Sequence, residues 1–244
     1  MERPSKHLPR VVALTGAGIS APSGVPTFRG KDGLWRNYDP QQLATPQAFA
    51  RDPKLVWEWY DWRRQRIAPC TPNAAHETLV EMERTLPPGQ VAVITQNVDG
   101  LHQKAGNQNL LALHGNIWMV RCTRCGLRRE DRRVPLPEIP PTCPGCGGLL
   151  RPDVVWFGEA LPYAVLNQAF TIAQAANYML VIGTSAVVQP AISLALIARE
   201  HGARLVEFNV ARTAISDQAD ETILGSVDHT LPAWWQRMRQ EWRV

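Results

Sequence analysis

VAVITQNVDGLHQKAGNQNLLALHGNIWM, residues 91–119, is the stretch from which the fold is read. Val91 to Ile94 is an apolar, β-branched run that feeds straight into Thr95-Gln96-Asn97-Val98-Asp99-Gly100. A buried strand that ends in polar groups is where open α/β sheets place their ligands. A second run, Leu110 to Leu113, ends in His114-Gly115. An amide, a carboxylate and an imidazole thus stand at two strand ends. Two core strands with polar turns and a structural histidine would carry the same letters, and the rest of the chain decides between the readings.

Towards the N-terminus, Arg10–Leu14 reads as a strand running into Thr15-Gly16-Ala17-Gly18-Ile19-Ser20-Ala21. This G-x-G-x-x-A pattern lets backbone N–H groups approach a pyrophosphate at a helix N-terminus, although a plain tight turn has the same spelling. The acidic strand end usual about twenty positions later is missing. In its place stands Pro22-Ser23-Gly24-Val25-Pro26-Thr27-Phe28-Arg29-Gly30, a loop punctuated by proline and glycine. Loops of that kind in compact domains are functional or disordered.

Asp52-Pro53 supplies an N-cap and first-turn proline for a helix reaching about Ile67. Tyr60 and Arg63 are three apart on it and share a face, either as an aromatic stripe with an extended arginine or as a ligand-facing pair. Thr71-Pro72 reads as the cap of a further helix to about Arg84, with His76 a core or capping histidine and Cys70 a packed thiol. Beyond the middle of the chain, Val154-Val155-Trp156-Phe157-Gly158-Glu159 reads as an edge strand. A Pro162-led helix to about Ala176 follows, then a strand Tyr178–Ile182 and a small-residue turn, Gly183-Thr184-Ser185. The helix Pro190–His201 stops at Gly202, and the strand Arg204–Phe208 delivers Asn209. The tail, Pro232–Trp242, reads as a docked amphipathic helix. Alternating β and α elements with glycine turns at strand ends predict an α/β, Rossmann-like, doubly wound parallel sheet.

Residues 120–152 differ in kind. They hold Cys122-x2-Cys125, seventeen intervening residues, and Cys143-x2-Cys146. Two such knuckles at zinc-ribbon spacing suit tetrahedral thiolate coordination of Zn²⁺. Four cysteine ligands leave no open position for water, so the metal is expected to be structural. Arg128, Arg129, Arg132 and Arg133 between the pairs have no interleaved aromatics, which favours a solvated basic face over a nucleic-acid surface.

Composition is that of a globular enzyme, 45% hydrophobic and 20% charged, with a net charge of +4 that does not single out nucleic acid or membrane partners. No apolar run approaches the roughly 18 residues needed to span a bilayer. MERPSKHLPR is too short and polar for a signal peptide, so a cytoplasmic location is expected. Five cysteines, four of them in two tight pairs, point to metal binding rather than a secreted disulfide framework.

GAGIS, then GVPTFRG, TQNVDGLH, LHG and the two CxxC pairs, in that order from about Val11 to the C-terminus, resemble the sirtuins, NAD-dependent protein-lysine deacylases. The resemblance implies a Rossmann-like NAD domain (1–35, 72–118 and 154–244) and a small helical and zinc-ribbon domain (36–71 and 119–153). NAD and an acyl-lysine protein would meet in the cleft between them, and one structural Zn²⁺ would be held by Cys122, Cys125, Cys143 and Cys146. It assigns cofactor contacts to Gly16, Ala17, Gly18, Ile19, Thr27, Phe28, Arg29, Gln96, Asn97, Asp99, Gly183, Thr184, Ser185, Asn209 and Val227. His114 would be the general base on a ribose hydroxyl, with Asn97 orienting the ribose or a water and Asp99 holding the nicotinamide carboxamide. His102 is the rival imidazole. Phe28 and Arg29 would close over the cofactor. Val154, Val155 and Phe157 would line the acyl-lysine peptide as an added strand. Tyr-x-x-Arg at Tyr60 and Arg63, with Ala44 and Thr27, is similar to the branch that removes succinyl, malonyl or glutaryl groups.

Two other classes are compatible with parts of this pattern. An NAD-dependent protein ADP-ribosyltransferase would use the same cofactor pocket and leave ADP-ribose on a protein. A zinc-ribbon nucleic-acid binder would show salt-sensitive DNA binding without NAD turnover. The intact GAGIS, QNVD and HG blocks count against both, and specific nucleic-acid binding is not expected.

Overall fold

The computed structural model describes residues 8–27 and 39–244. In chain order its strands are β1 (Val11–Thr15), β2 (Val91–Thr95), β3 (Leu110–Ala112), β4 (Gly115–Cys122), β5 (Arg128–Glu130), β6 (Leu150–Val154), β7 (Tyr178–Ile182), β8 (Arg204–Asn209) and β9 (Glu221–Leu224). Its helices are α1 (Pro40–Leu43), α2 (Pro46–Arg51), α3 (Pro53–Ile67), α4 (Ala74–Thr85), α5 (Leu101–Ala105), α6 (Tyr163–Gln174), α7 (Ala191–Glu200) and α8 (Val227–Trp242).

Six strands form one parallel sheet in the order β3-β2-β1-β7-β8-β9. With β4–β6 set aside, this is the strand order of dinucleotide-binding folds, and the order reverses between β1 and β7. All five residues of β1 and of β2 are buried, which is why both read as unbroken apolar runs. Alternation sorts β1 between two cores: Val11 and Ala13 pack in the cluster containing α4 and α8 residues, Val12 and Leu14 in that of α6 and α7. Trp234 and Trp242 of α8 close the first core through ring contacts with Tyr178 and with Phe208.

β5, β4 and β6 form a separate antiparallel sheet. One apolar cluster joins it to α2 and α3, so both inserted segments share a core. Trp57 donates its indole N–H to the Leu150 carbonyl at 2.8 Å, and Arg64 donates twice to the Ile117 carbonyl at 2.9 and 2.6 Å. β4 begins at Gly115, directly after His114, and pairs with β6 through Val154. The crossing is tight: at Gly115 (φ +80°) a Cβ would lie 2.2 Å from the Asp153 carbonyl oxygen, so only glycine fits after the histidine.

Several sequence expectations are corrected. The glycine-rich turn opens no α-helix; two three-residue 3₁₀ turns follow it, Ala17–Ile19 and Ala21–Ser23. Asn73, not Thr71, caps α4, accepting from Ala75 N–H while His76 accepts from Asn73 N–H in a reciprocal box. Strand β6 stops at Val154, and Val155–Glu159 leave it as a turn. The last helix begins at Val227, five residues before the expected start, and carries Pro232 inside it. The arginines between the cysteine pairs stand on a solvated face, as expected, and are ion-paired there: Arg128 to Asp153, Arg129 and Arg133 to Asp131, Arg132 to Glu130. Among the described residues no helix is long and apolar enough to cross a membrane.

His76 is fully buried, its ring tilted against that of His102 with centroids 4.8 Å apart. Burial, and secondarily His102, push its pKa down to about 3. A histidine held neutral in the fold stabilises above its unfolded pKa near 6.5, and that stability is lost as pH falls from there towards 3. The unfolding free energy from urea titration is therefore expected to fall on acidification below pH 6.5, at about 1 kcal/mol per pH unit, with a shallower decline in His76→Leu. Identical slopes in the two proteins would contradict this.

Candidate active site

The reversal between β1 and β7 leaves a crevice at their C-terminal ends, and a cavity of about 910 Å³ opens there. Its walls include the turn after β1 (Gly16–Gly18), the turn after β7 (Gly183–Ser185), the end of β8 (Asn209) and Val227 at the start of α8. The two turns interlock. Gly16 and Gly18 donate to the carbonyls of Ile182 and Gly183 at 3.0 and 2.7 Å, and a Cβ on Gly183 (φ +59°) would sit 2.4 Å from Ile19 N. The glycines thus let two strand-end turns touch, and these two N–H groups are already spoken for. Ile19 turns its side chain into the core rather than the cavity.

Gln96, Asn97 and His114 supply the polar middle of the wall. Asn97 donates its amide nitrogen to Gly16 O at 3.0 Å and Ser20 Oγ at 3.2 Å, so its Oδ1 is the atom left for a ligand. His114 shares a 2.9 Å hydrogen bond between Nδ1 and the Gln96 carbonyl. A carbonyl only accepts, so Nδ1 carries the proton and Nε2 has the basic lone pair. Burial lowers the His114 pKa, against the opposing pull of that carbonyl, which keeps the ring neutral at pH 7. Gln96 Nε2 donates to Thr184 Oγ1, and Asn209 Nδ2 to Thr184 O, tying three strand ends together.

Asp99 stands behind this wall. It is 5% exposed, and its two oxygens accept from Ser20 Oγ and from Leu101 N–H, both at 2.8 Å. His102 is also set back, 1% exposed, with each ring nitrogen within hydrogen-bond distance of a protein group. It does not open to the cavity, and His114 does.

The small-module side of the cavity carries Ala44, Tyr60, Arg63, Val154, Val155, Trp156 and Phe157. Tyr60 OH accepts from Trp156 Nε1 at 2.9 Å, leaving its own proton to donate. Burial pushes the Tyr60 pKa up to about 12, against Arg63 nearby, so the phenol stays protonated. Arg63 is 6% exposed and stacks on Trp59 at 5.1 Å; burial lowers its pKa, and Tyr60 and Asp99 counter the fall. Main-chain bonds from Val155 N to His114 O and from Phe157 N to Ala44 O, both 2.9 Å, fix the segment between the two halves. Thr27 lies on the wall, while Phe28 and Arg29 fall outside the described residues. Trp156 and Glu159 were not singled out from sequence. Their signal is the Val154–Glu159 block itself, of which only Val154, Val155 and Phe157 are assigned a role by the resemblance.

The four paired cysteines come together with all Sγ atoms within 4.8 Å of one another. Cys122 and Cys146 are 3.5 Å apart, Cys125 and Cys143 3.7 Å. Tetrahedral thiolate zinc, with Zn–S of about 2.3 Å, places sulfurs about 3.8 Å apart. N–H groups of Arg124 and Cys125 point at Cys122 Sγ, as a knuckle offers them to a thiolate. The donor set fits one structural Zn²⁺.

A doubly wound parallel sheet, glycine turns meeting at its switch point, a neutral imidazole on the crevice wall and an inserted four-cysteine module together define a narrow class of protein. The family model described as the Sir2 family matches residues 16–190, and the chain belongs to that family. An NAD-dependent protein deacylase of Aquifex aeolicus is 57% identical over 210 residues, covering 86% of this chain and 87% of that protein. Among solved structures, a mutant Sir2 homologue in complex with ADP-ribose superposes with a TM-score of 0.91 at 46% identity, covering 96% of this chain and 93% of the other. A Sir2 homologue in complex with NAD gives 0.88 at 47% identity, covering 95% and 90%.

Proposed function

We propose that this chain is an NAD-dependent protein-lysine deacylase, yielding nicotinamide, free lysine and O-acyl-ADP-ribose. The observation that carries the reading is that His114, with its Nε2 lone pair, and Asn97, with its Oδ1, both line one cavity wall. The family's complexes with NAD and with ADP-ribose support placing that cofactor here. NAD supplies a ribose carbon to which the acyl oxygen adds as nicotinamide departs. Gly16–Gly18, Thr27, Gln96, Gly183–Ser185, Asn209 and Val227 are the residues we assign to holding it. Asp99 acts through Ser20 in this arrangement. His114 takes a ribose hydroxyl proton at Nε2, while Asn97 Oδ1 accepts from a ribose hydroxyl or a water and so orients it. The acyl-lysine strand lies against Val154, Val155 and Phe157, using main-chain groups at the end of β6.

We further propose acceptance of acidic acyl groups, succinyl or malonyl, through Tyr60 and Arg63. A terminal carboxylate entering the cavity leaves water and needs charged and hydroxyl donors there. Tyr60 retains its proton for such a partner, and Arg63 brings a planar, charged fork. Charge-assisted bonds of this type contribute roughly 1.5–3 kcal/mol, or about ten- to a hundredfold in kcat/KM. Arg63→Met is therefore expected to cut desuccinylation by about one to two orders of magnitude while sparing deacetylation. Matched succinyl- and acetyl-lysine peptides check this; equal losses on both would assign Arg63 to the fold instead.

A further inference from the structure

We propose that His102 is a positioning residue for deacylation: from beneath the cavity it orders the hydroxyl of Thr15 and, through it, that of Thr95, which holds the main chain of Asn97. The proposal rests on the deacylase reading and on the role given there to Asn97.

Thr15 ends β1, Thr95 ends β2, and the two are direct partners across the parallel ladder. Both are buried, at 0% and 2% exposure, and neither they nor His102 is among the described residues lining the cavity. Each follows an all-apolar strand, VVAL and VAVI, where an isosteric valine would satisfy packing without burying a hydroxyl. The hydroxyls therefore have work to do, and their partners show what it is.

With a neutral His102 ring the protons along the network have one consistent arrangement. The Glu83 carboxylate only accepts, so Asn107 turns its amide nitrogen to it at 3.1 Å and presents Oδ1 to His102 Nδ1 at 3.2 Å. His102 Nδ1 therefore bears the proton, and Nε2 is an acceptor 3.0 Å from Thr15 Oγ1. Either hydroxyl can donate across the 2.8 Å contact of Thr15 with Thr95; where Thr15 gives its single proton to a neutral His102, Thr95 is the one that donates. Thr95 Oγ1 in turn accepts the Asn97 N–H at 3.0 Å. A directed chain runs from Glu83 on α4 to the backbone of the residue whose side chain faces the cavity. Removing the Nε2 acceptor frees the Thr15 hydroxyl to rotate, and the anchor of Asn97 loses its fixed orientation. Burial lowers the His102 pKa, with Asp99 and the Asn107 bond opposing, so the neutral ring that this arrangement requires is favoured.

The test is steady-state deacylation by the full chain, with NAD and an acetyl-lysine peptide, of wild type, His102→Leu, His102→Gln, Thr15→Val and His102→Leu/Thr15→Val. His102→Leu is expected to lose about ten- to a hundredfold in kcat, as a small misplacement of a reacting group does, with KM for NAD changed by less than about threefold. His102→Gln, whose Oε1 accepts from Thr15, should recover most of the loss. Thr15→Val should match His102→Leu, and the double variant should be no worse than either single, because both break one link. The acid limb of the kcat/KM profile should keep its wild-type midpoint in every variant, since it belongs to His114. The proposal is overturned by wild-type kcat in His102→Leu, by a glutamine variant no better than leucine, by additive losses, or by disappearance of the acid limb. If His102→Leu does not fold, Thr15→Val decides alone: an unchanged kcat overturns the proposal. Absence of acyl loss in the wild type would overturn the deacylase reading and this proposal with it; a normal wild-type rate with unaffected variants overturns only the positioning role.

Discussion

His114→Ala is expected to lower deacylation by about a hundred- to ten-thousandfold, the usual contribution of a general base, while NAD binding largely survives. The separation follows from geometry. His114 offers one lone pair to the cavity, whereas the residues proposed to hold the cofactor are spread over the turns after β1 and β7 and the end of β8. In the wild type, kcat/KM should rise with pH along a limb whose midpoint lies below the ordinary histidine value near 6.5, because burial disfavours the protonated ring. Rate and binding measured on the same preparation check both statements. Near-normal turnover in His114→Ala, or parallel loss of rate and NAD affinity, would remove the residue from the role of base.

Loss of zinc should have the second large effect. Structural zinc contributes about 10–16 kcal/mol of apparent binding free energy in small domains, and that energy is coupled to folding. Cys143 is 3% exposed, and the apolar cluster that includes it also holds Trp57, Tyr60 and Trp156. Cys143→Ser is therefore expected to abolish stoichiometric zinc, unfold the small sheet and lower activity by disordering the Tyr60 and Trp156 wall. Elemental analysis and thermal melts check this. Zinc-free wild-type protein with full stability and activity would contradict it.

What was legible in the sequence had local causes. The unbroken apolar runs of β1, β2 and β7 announce strands covered on both faces, and the cysteine spacing announces a cluster before any geometry is known. What was not legible depended on partners far along the chain. The G-x-G pattern read as a phosphate turn leading into a helix, yet its glycines are pressed against Gly183, some 165 residues away. Thr71-Pro72 has the letters of a cap, but Asn73 takes the role because His76 can return the bond. His102 and His114 look alike as histidines after polar strand ends. Helix α5 turns the first inward under the sheet, and the tight crossing at Gly115 holds the second at the cavity. The Trp156–Tyr60 bond spans 96 positions and leaves no mark on either segment alone.

We assign acyl transfer, not transfer of ADP-ribose to protein, to this cavity. Mass spectrometry of a reaction holding the enzyme, NAD and parallel acetyl-, succinyl- and malonyl-lysine peptides tests it most directly. Nicotinamide release is expected in step with peptide losing its acyl mass and with the appearance of O-acyl-ADP-ribose. Nicotinamide release with intact acyl peptide, and a protein gaining the mass of ADP-ribose, would contradict it.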